Sequence, residues 1–286
     1  MVKYRKPLKR NPIEVALESF ATGGAGANLD AHAQKVIDFL STKYGLRDIA
    51  PVAGIGYNMF WVANLGPRKI FIKTGTHDGI YENEYKMGMA LYKADPEHFL
   101  EPLMYNDYDE IKFFANEYVS GQTLKTVMMG GGVADETRAR MIEDLYKIFC
   151  ALRGSDVVHR DIRPDNLMWL GDRLVLIDFQ LAVSKSHYQE LAYLASKPQR
   201  LRSLGEDVFR YKRYTWDDAH SILRVLEYIG RADTYGARYD EIHADIKSHI
   251  GVDTIHSSVK EQPFRRLARH ILPKKFRQRL AHTSRH

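Results

Sequence analysis

One stretch of polar residues constrains what this chain can fold into more than any other feature. His159-Arg160-Asp161 is followed by Asn166 and then by Asp178-Phe179, and apolar residues that read as short strands flank them at Val157-Val158 and Val175-Leu176-Ile177. A carboxylate such as Asp161 can accept a proton from a hydroxyl group. Asn166 and Asp178 offer the oxygen ligands that Mg²⁺ prefers. The stretch therefore predicts a site, built on loops, that binds a hydroxyl group and a divalent cation.

The order and spacing of these residues resemble the catalytic loop and the metal loop of the protein-kinase-like superfamily. The resemblance covers roughly residues 50 to 225 and implies a two-lobed α+β fold, with a small antiparallel-sheet lobe that carries one main helix and a larger helical lobe. It also implies ATP as the phosphate donor and Mg²⁺ as the metal. By the same resemblance Asp161 orients and deprotonates the acceptor hydroxyl, Arg163 contacts the transferring phosphate, and Asn166 and Asp178 bind Mg²⁺.

The resemblance further implies where the triphosphate is held. Lys73 ends the apolar strand Ile70-Phe71-Ile72, where the superfamily has the lysine that holds the α- and β-phosphates. Its expected partner is a carboxylate on the following helix, and Glu84 is preferred to Glu82 because Gly88 and Leu91 share its face. We therefore expect an ion pair between Lys73 and a helix glutamate inside the small lobe.

Two further segments of the small lobe are candidate contacts for the nucleotide. Gly54 and Gly56 lie between the first two predicted strands, where glycine lets backbone N–H groups approach phosphate oxygens. Met59 replaces the third glycine of the superfamily pattern. The segment that ends in Glu117 and Val119 resembles the hinge between the lobes, and it implies that their backbone groups pair with adenine.

Apolar patterns divide the chain into four regions. Residues 1–48 are predicted to be an N-terminal helical extension and residues 49–119 to be the small lobe, with strands at 50–53, 59–64, 69–73 and 111–119 and a helix at 80–93. Residues 120–260 are predicted to be the large lobe, with helices at 137–153 and 216–229 and a weaker helical signal at 231–255. Residues 216–221 resemble the start of the superfamily's helix that anchors the catalytic loop, which implies that Asp218 accepts hydrogen bonds from the backbone near His159.

The last region, residues 261–286, is predicted to be a basic amphipathic tail. Its apolar stripe from Phe264 to Leu280 lies opposite seven Lys and Arg residues, with no acidic residue among them (Arg265, Arg266, Arg269, Lys274, Lys275, Arg277 and Arg279). Such a helix can lie on an anionic membrane through residues 264–280, or it can pack its stripe against the large lobe. The sequence leaves both alternatives open.

Charge and cysteine content exclude several classes of protein. The single cysteine, Cys150, rules out a disulfide framework, and no apolar run reaches the length that spans a bilayer. The net charge of +6 favours anionic partners, and the absence of a separate basic patch with interleaved aromatic residues argues against nucleic acid. We expect a cytoplasmic protein, peripheral on the inner face of the cell membrane if the tail binds lipid.

Three departures from the protein-kinase pattern lead to a prediction of the acceptor. Gln180 follows Asp178-Phe179 where glycine is usual, no Ala-Pro-Glu segment is present, and the segment after the metal loop is basic. With the basic tail, these departures most resemble the bacterial lipopolysaccharide core kinases and imply an anionic glycan or glycolipid acceptor. A Ser/Thr protein kinase is the alternative, favoured by Ile162-Arg163-Pro164-Asp165-Asn166, and an inactive nucleotide-binding pseudokinase is the second alternative.

Overall fold

The computed structural model describes residues 31–52, 60–75, 79–195, 201 and 204–257. Its architecture is the two-lobed α+β fold that the sequence predicts, with a sheet-rich lobe followed by a helical one. In chain order its main elements are α1 (Ala31–Tyr44), β1 (Arg47–Pro51), β2 (Phe60–Leu65), β3 (Arg68–Gly75), α2 (Ile80–Ala94), β4 (Pro102–Asn106), β5 (Lys112–Glu117), β6 (Gln122–Thr123), α3 (Leu124–Gly130), α4 (Asp135–Gly154), β7 (Val157–Val158), β8 (Leu167–Trp169), β9 (Leu174–Leu176), β10 (Val183–Ser184), α5 (Ala192–Ala195), α6 (Glu206–Phe209), β11 (Thr215–Trp216), α7 (Asp218–Ile229), α8 (Gly236–Ser248) and β12 (Ile255–His256).

The small lobe is built on a five-stranded antiparallel sheet in the order β1-β2-β3-β5-β4. In the pairing of β3 with β5, Lys73 lies opposite Phe114 and Phe71 lies opposite Asn116. Because side chains alternate between the two faces of a strand, these residues share the face that is turned toward the cleft. The register therefore decides which side chains can reach a bound molecule.

Helix α1 covers the other face of this sheet. Its buried residues Ala33, Val36 and Leu40 pack in one cluster with Trp61 of β2 and Phe113 of β5. The helix therefore shares a core with the small lobe, although its sequence was predicted as part of an extension. The proposed division at residues 48, 119 and 260 stays a prediction, and the predicted tail at 261–286 lies outside the described residues.

The large lobe has a helical core that supports the motif loops. Met141, Leu145 and Ile148 of α4 are fully buried and pack against α7 through residues such as Ile222 and Leu226. Their three- and four-residue spacing is the pattern that predicted both helices. The chain leaves α4 and enters β7 directly, so this core fixes where the catalytic loop begins.

Several short elements of the described structure were not predicted, strand β4 and helix α3 among them, and one helix was predicted with wrong bounds. Strand β4 begins at a proline and helix α3 has only 7 residues, so neither shows a periodic apolar pattern. Residues 231–255 are not one helix, because α8 begins at Gly236 and the chain ends that region in strand β12. Among the described residues, none of the helices has the length and apolar character to cross a membrane.

Candidate active site

A carboxylate on α7 holds the backbone of the catalytic loop. Asp218 accepts hydrogen bonds from the backbone N–H groups of His159, at 2.7 Å, and of Arg160, at 3.2 Å. Arg160 has a φ of 68°, a left-handed conformation that non-glycine residues rarely adopt. Burial raises the pKa of Asp218 to about 7, although the two N–H donors oppose that shift. The anchor predicted for Asp218 is present, and it holds the loop in a conformation that the loop alone would not favour.

Both oxygens of Asp161 accept hydrogen bonds within the protein. Its Oδ2 accepts from the side-chain amide of Asn166 at 3.0 Å, and its Oδ1 accepts from the backbone N–H of Gly205 at 3.0 Å. Burial raises the pKa of this carboxyl to about 7, against the opposing positive charge of Arg163. A base whose pKa lies near neutral pH combines a useful deprotonated fraction with a strong tendency to take a proton.

Lys73 lies at the centre of a buried cluster of charges across the cleft. Its Nζ is 2.5 Å from Oε1 of Glu84 and 2.7 Å from Oδ1 of Asp178. Burial lowers the pKa of Lys73, but the carboxylates of Asp178 and Glu84 outweigh it and hold that pKa above its ordinary value. Glu82, the alternative partner, instead pairs with Lys86 on the exposed side of α2. Lys73 therefore joins the sheet, the helix and the metal loop in one charged cluster.

Asn166 and Asp178 have the chemistry of a magnesium site. The amide nitrogen of Asn166 donates to Asp161, so its amide oxygen is the atom left to face a cation. Burial raises the pKa of Asp178, yet the ammonium of Lys73 outweighs it and holds that pKa below its ordinary value. The described residues contain no cluster of three His, Cys, Asp or Glu side chains that could hold a metal alone. Two oxygen donors suit Mg²⁺ shared with phosphate groups, which is how this ion commonly binds.

A cleft opens from this cluster between the lobes. Its lining includes Lys73, Glu84 and Asp178 at one end and Glu117 and Val119 at the other. The backbone N–H of Glu117 donates to the carbonyl of Glu101 at 3.1 Å, so of the two backbone groups of Glu117 this N–H is not available to a ligand. Gly54 and Gly56 lie outside the described residues. The predicted base-binding and phosphate-binding residues that are described thus line one cleft.

Arg163 has a partner that the sequence analysis missed. Its Nη1 contacts a carboxylate oxygen of Glu206, and its Nε is 3.8 Å from Oδ2 of Asp161. Gly205 and Glu206 both have positive φ angles, of 83° and 49°. The segment that begins at Leu204 therefore lies across the catalytic loop and holds Asp161 and Arg163 together. Long separation in sequence and a lack of periodicity hid this contact.

Arg160 is held by Glu190, a second contact that the sequence did not reveal. Its guanidinium is fully buried and lies 2.9 Å from the carboxylate of Glu190, which also accepts a hydrogen bond from the hydroxyl of Tyr188 at 2.7 Å. Nε of Arg160 donates to the carbonyl of Leu181 at 2.7 Å. The loop arginine thus connects the catalytic loop with the segment after the metal loop through a carboxylate of this chain.

Some basic residues of the segment after the metal loop are held in ion pairs within the protein. Lys185 pairs with Asp253 at 3.1 Å, and Arg210 is buried beside Asp207, so neither is available to an anionic acceptor. Lys212 and Arg213 are exposed on the large lobe. Lys197, Arg200 and Arg202 lie outside the described residues.

Parts of this chain are similar in sequence to known proteins. Residues 132–222 match the model of the phosphotransferase enzyme family (APH). A probable serine/threonine-protein kinase of Dictyostelium discoideum is 24% identical over 117 residues, which are 37% of this chain and 17% of the relative. The serine/threonine-protein kinase F of a Synechocystis strain is 31% identical over 85 residues, which are 27% of this chain and 17% of the relative.

Among solved structures, the kinase PK-1 of the Cydia pomonella granulovirus has a TM-score of 0.49 at 14% identity, over 74% of this chain and 80% of that chain. The chain covers 17% of the length of each of the two curated relatives. The family match and the two relatives bear out the resemblance to the protein-kinase-like superfamily.

Proposed function

We propose that this chain moves the γ-phosphoryl group of ATP to a hydroxyl group in a Mg²⁺-dependent reaction. The observation that carries the proposal is the position of Lys73, which contacts Glu84 and Asp178 in the cleft that Glu117 and Val119 also line. Phosphoryl transfer needs the triphosphate fixed and its charge offset, with the attacking oxygen in line. The charged cluster around Lys73 would fix the triphosphate and offset its charge, and Asp161 would hold the attacking oxygen in line.

The roles follow from charge and hydrogen bonding. Lys73 would contact the α- and β-phosphates, and Asp178 and Asn166 would hold Mg²⁺, which offsets phosphate charge when it is bound. Asp161 would orient the acceptor hydroxyl and take its proton, because its pKa lies at about 7. Arg163 would contact the transferring phosphate with its planar guanidinium. Its ion pair with Glu206 keeps the side chain beside Asp161.

We propose a sugar hydroxyl of an anionic cell-envelope glycolipid, of the lipopolysaccharide core type, as the acceptor. The likeness to a phosphotransferase family, the missing Ala-Pro-Glu segment and the exposed Lys212 and Arg213 support this choice. A serine or threonine of a protein is the second candidate, favoured by the two Ser/Thr kinases among the relatives.

An ATP-consumption screen separates these acceptors. The protein is incubated with Mg²⁺ and labelled ATP, with envelope glycan fractions and with generic protein substrates side by side. Label in a glycan, absent with the Asp161→Asn variant, is the expected result. Label in protein alone would replace the acceptor by a polypeptide, and ATP binding without any transfer would favour the pseudokinase alternative.

We also propose that residues 264–280 bring the enzyme to an anionic membrane surface, since their sequence combines an apolar stripe with a fully basic face. A variant that ends at residue 263 should lose binding to vesicles containing anionic lipid and keep its melting temperature. A lower melting temperature with unchanged vesicle binding would instead favour packing of this stripe on the large lobe.

A further inference from the structure

A tight turn on the surface of the large lobe carries two cations to which the proposed chemistry gives no role. Lys212 and Arg213 are both exposed, and each lies beside a partly exposed tyrosine. Nζ of Lys212 is 4.7 Å from the ring centre of Tyr211, and Cζ of Arg213 is 5.3 Å from that of Tyr214. Tyrosine is enriched at membrane–water interfaces, where Lys and Arg attract anionic lipid.

Backbone hydrogen bonds fix the shape of this turn. Lys212 and Thr215 exchange two of them, at 3.3 and 3.0 Å, and Tyr214 between them has a left-handed φ of 60°. The carbonyl of Tyr214 accepts a further hydrogen bond from the backbone N–H of Ser257 at 3.0 Å. The two cations are therefore carried by a hydrogen-bonded hairpin.

Both sides of the turn are attached to the segment that holds the proposed base. Nη1 of Arg210, before the turn, donates to the carbonyl of Leu204 at 3.2 Å, and Nε1 of Trp216, after the turn, donates to the same carbonyl at 3.3 Å. The next residue, Gly205, donates its backbone N–H to Asp161. A surface that binds this turn therefore also sets the direction in which the acceptor end faces.

The turn is bonded to the part of the chain that leads into the predicted basic tail. Strand β12 pairs with β11, and Ser257, which donates to Tyr214, follows β12 directly. Phe264, where the apolar stripe begins, follows Ser257 by seven residues, a length of chain that spans at most about 25 Å. A membrane that takes up the stripe is therefore within reach of Lys212 and Arg213.

We propose that the turn from Tyr211 to Tyr214 is a second contact with an anionic phospholipid membrane, and that it directs the acceptor end of the enzyme toward the bilayer. The inference rests on the proposed membrane binding by residues 264–280, because the turn by itself offers two cations. Stable attachment to a membrane commonly takes two signals. Each Lys or Arg near an anionic surface strengthens binding by about fivefold, so the turn should add about thirtyfold to what the tail supplies.

The first test measures binding of the full chain to vesicles by sedimentation. Mixed vesicles of phosphatidylcholine and phosphatidylserine are compared with vesicles of phosphatidylcholine alone. Lys212→Gln combined with Arg213→Gln should weaken binding to the anionic vesicles by about thirtyfold, and it should change the melting temperature little, because both side chains are exposed. Lys93→Gln combined with Arg140→Gln is the control, the same loss of charge at exposed positions on α2 and α4, and should leave binding within about twofold of the wild type.

A second measurement reads the orientation of the large lobe on the membrane. An environment-sensitive fluorophore is attached to the thiol of Lys212→Cys in a Cys150→Ser background, and in a separate variant to that of Lys93→Cys. At a saturating concentration of anionic vesicles, the emission of the label at position 212 should rise and shift to the blue. The emission of the label at position 93 should stay as it is in water.

Three results would overturn the inference, and they separate it from the proposed function. Binding that is lost in the variant ending at residue 263 but unchanged in the Lys212→Gln, Arg213→Gln variant would remove the turn and keep the tail. An equal change in emission at positions 212 and 93 would remove the orientation. Weaker binding of glucose 1-phosphate by the Lys212→Gln, Arg213→Gln variant, with unchanged vesicle binding, would assign the two cations to an anionic acceptor. A wild type that does not bind anionic vesicles would overturn both the inference and the proposed membrane binding.

Discussion

At the phosphate end of the proposed site, around Lys73, the charged side chains compensate one another, whereas at the acceptor end, around Asp161, the backbone of a distant segment holds the proposed base. Lys73 has carboxylates on both sides and is almost fully buried. Asp161 instead accepts a hydrogen bond from the backbone of Gly205, and its neighbour Arg163 pairs with the half-exposed Glu206. Ion pairs hold the charged groups around Lys73 in place. Near Asp161, the half-exposed pair of Arg163 with Glu206 can change more easily, and this is the part that would meet the acceptor.

This difference separates the expected roles of the two ends. A buried ion pair is costly to break, because removal of one partner leaves the other charge unpaired in a poorly solvated place. The ion pair of Arg163 with the half-exposed Glu206 is cheaper to replace. We therefore expect changes near Lys73 to affect both stability and nucleotide use, and changes near Glu206 to affect acceptor use alone.

The largest effect should come from the carboxylate at the acceptor end. Asp161→Asn keeps the shape of the side chain and removes the base, so kcat should fall by about 10²- to 10⁴-fold. The dissociation constant for ATP, measured by calorimetry, should stay within a factor of two or so of the wild type. Asp172→Asn, a change on an exposed carboxylate, is the control and should leave kcat as it was. Full turnover in Asp161→Asn would remove the proposed base.

At the phosphate end, Lys73→Met should lower kcat/KM for ATP by about 10²-fold, because a charge that faces the triphosphate is lost. It should also lower the free energy of unfolding by about 3 kcal/mol, because Glu84 is left buried and unpaired. Burial already raises the pKa of Glu84 to about 7. The loss of stability should therefore be smaller below pH 7, where Glu84 takes up a proton, and should grow as pH rises through that value.

A double variant separates the loss of stability in Lys73→Met from the loss of activity. Lys73→Met combined with Glu84→Gln should recover most of the stability, measured by chemical denaturation, and none of the activity. Lys86→Met, on the exposed side of α2, is the control for loss of a lysine. If Lys73→Met were as stable as the wild type at pH 8, Lys73 would not stabilise the buried carboxylate of Glu84.

The pH dependence of kcat/KM should contain the titration of Asp161 at the acceptor end beside that of Glu84 at the phosphate end. Burial raises the pKa of Asp161 to about 7, and the group must be deprotonated to act as a base. The rate should therefore fall by about tenfold for each pH unit below this pKa. His159 should not contribute, because burial lowers its pKa to about 4 and keeps the ring neutral. A profile that stays flat down to pH 5 would contradict the role of Asp161.

The smallest effect should come from Glu206→Gln. The substitution weakens the ion pair with Arg163 at a half-exposed position, so the KM for the acceptor should change by about two- to fivefold. The KM for ATP should not change, because Glu206 does not line the nucleotide cleft. A change in the KM for ATP of the same size as that for the acceptor would mean that the two ends are not separate.

The sequence predicts the side chains of the proposed site far better than the contacts that hold them at the acceptor end. Lys73 follows the apolar run Ile70-Phe71-Ile72 in strand β3, and Glu84 lies on the inward face of a periodic helix, so local patterns bring both to the cleft. Asp161, Asn166 and Asp178 lie within one short stretch of chain, and their spacing is informative by itself. Periodicity and motif spacing are both local signals, and these residues are placed by local structure.

The contacts at the acceptor end depend on tertiary structure. Gly205 and Glu206 reach the catalytic loop from a polar segment without strand or helix periodicity, and Glu190 reaches Arg160 in the same way. Nothing in the sequence sets the path of such a segment, because its position depends on what it packs against.

Binding of Mg²⁺ and ATP to the wild type and to Asp178→Asn tests the central claim most directly. With ATP at 100 times its dissociation constant, binding should add about 2.7 kcal/mol to the stability of the wild type when Mg²⁺ is present. The rise in melting temperature should be much smaller with chelator, and in Asp178→Asn it should no longer depend on Mg²⁺. An equal, Mg²⁺-dependent rise in both proteins would contradict a site built from Lys73, Asn166 and Asp178.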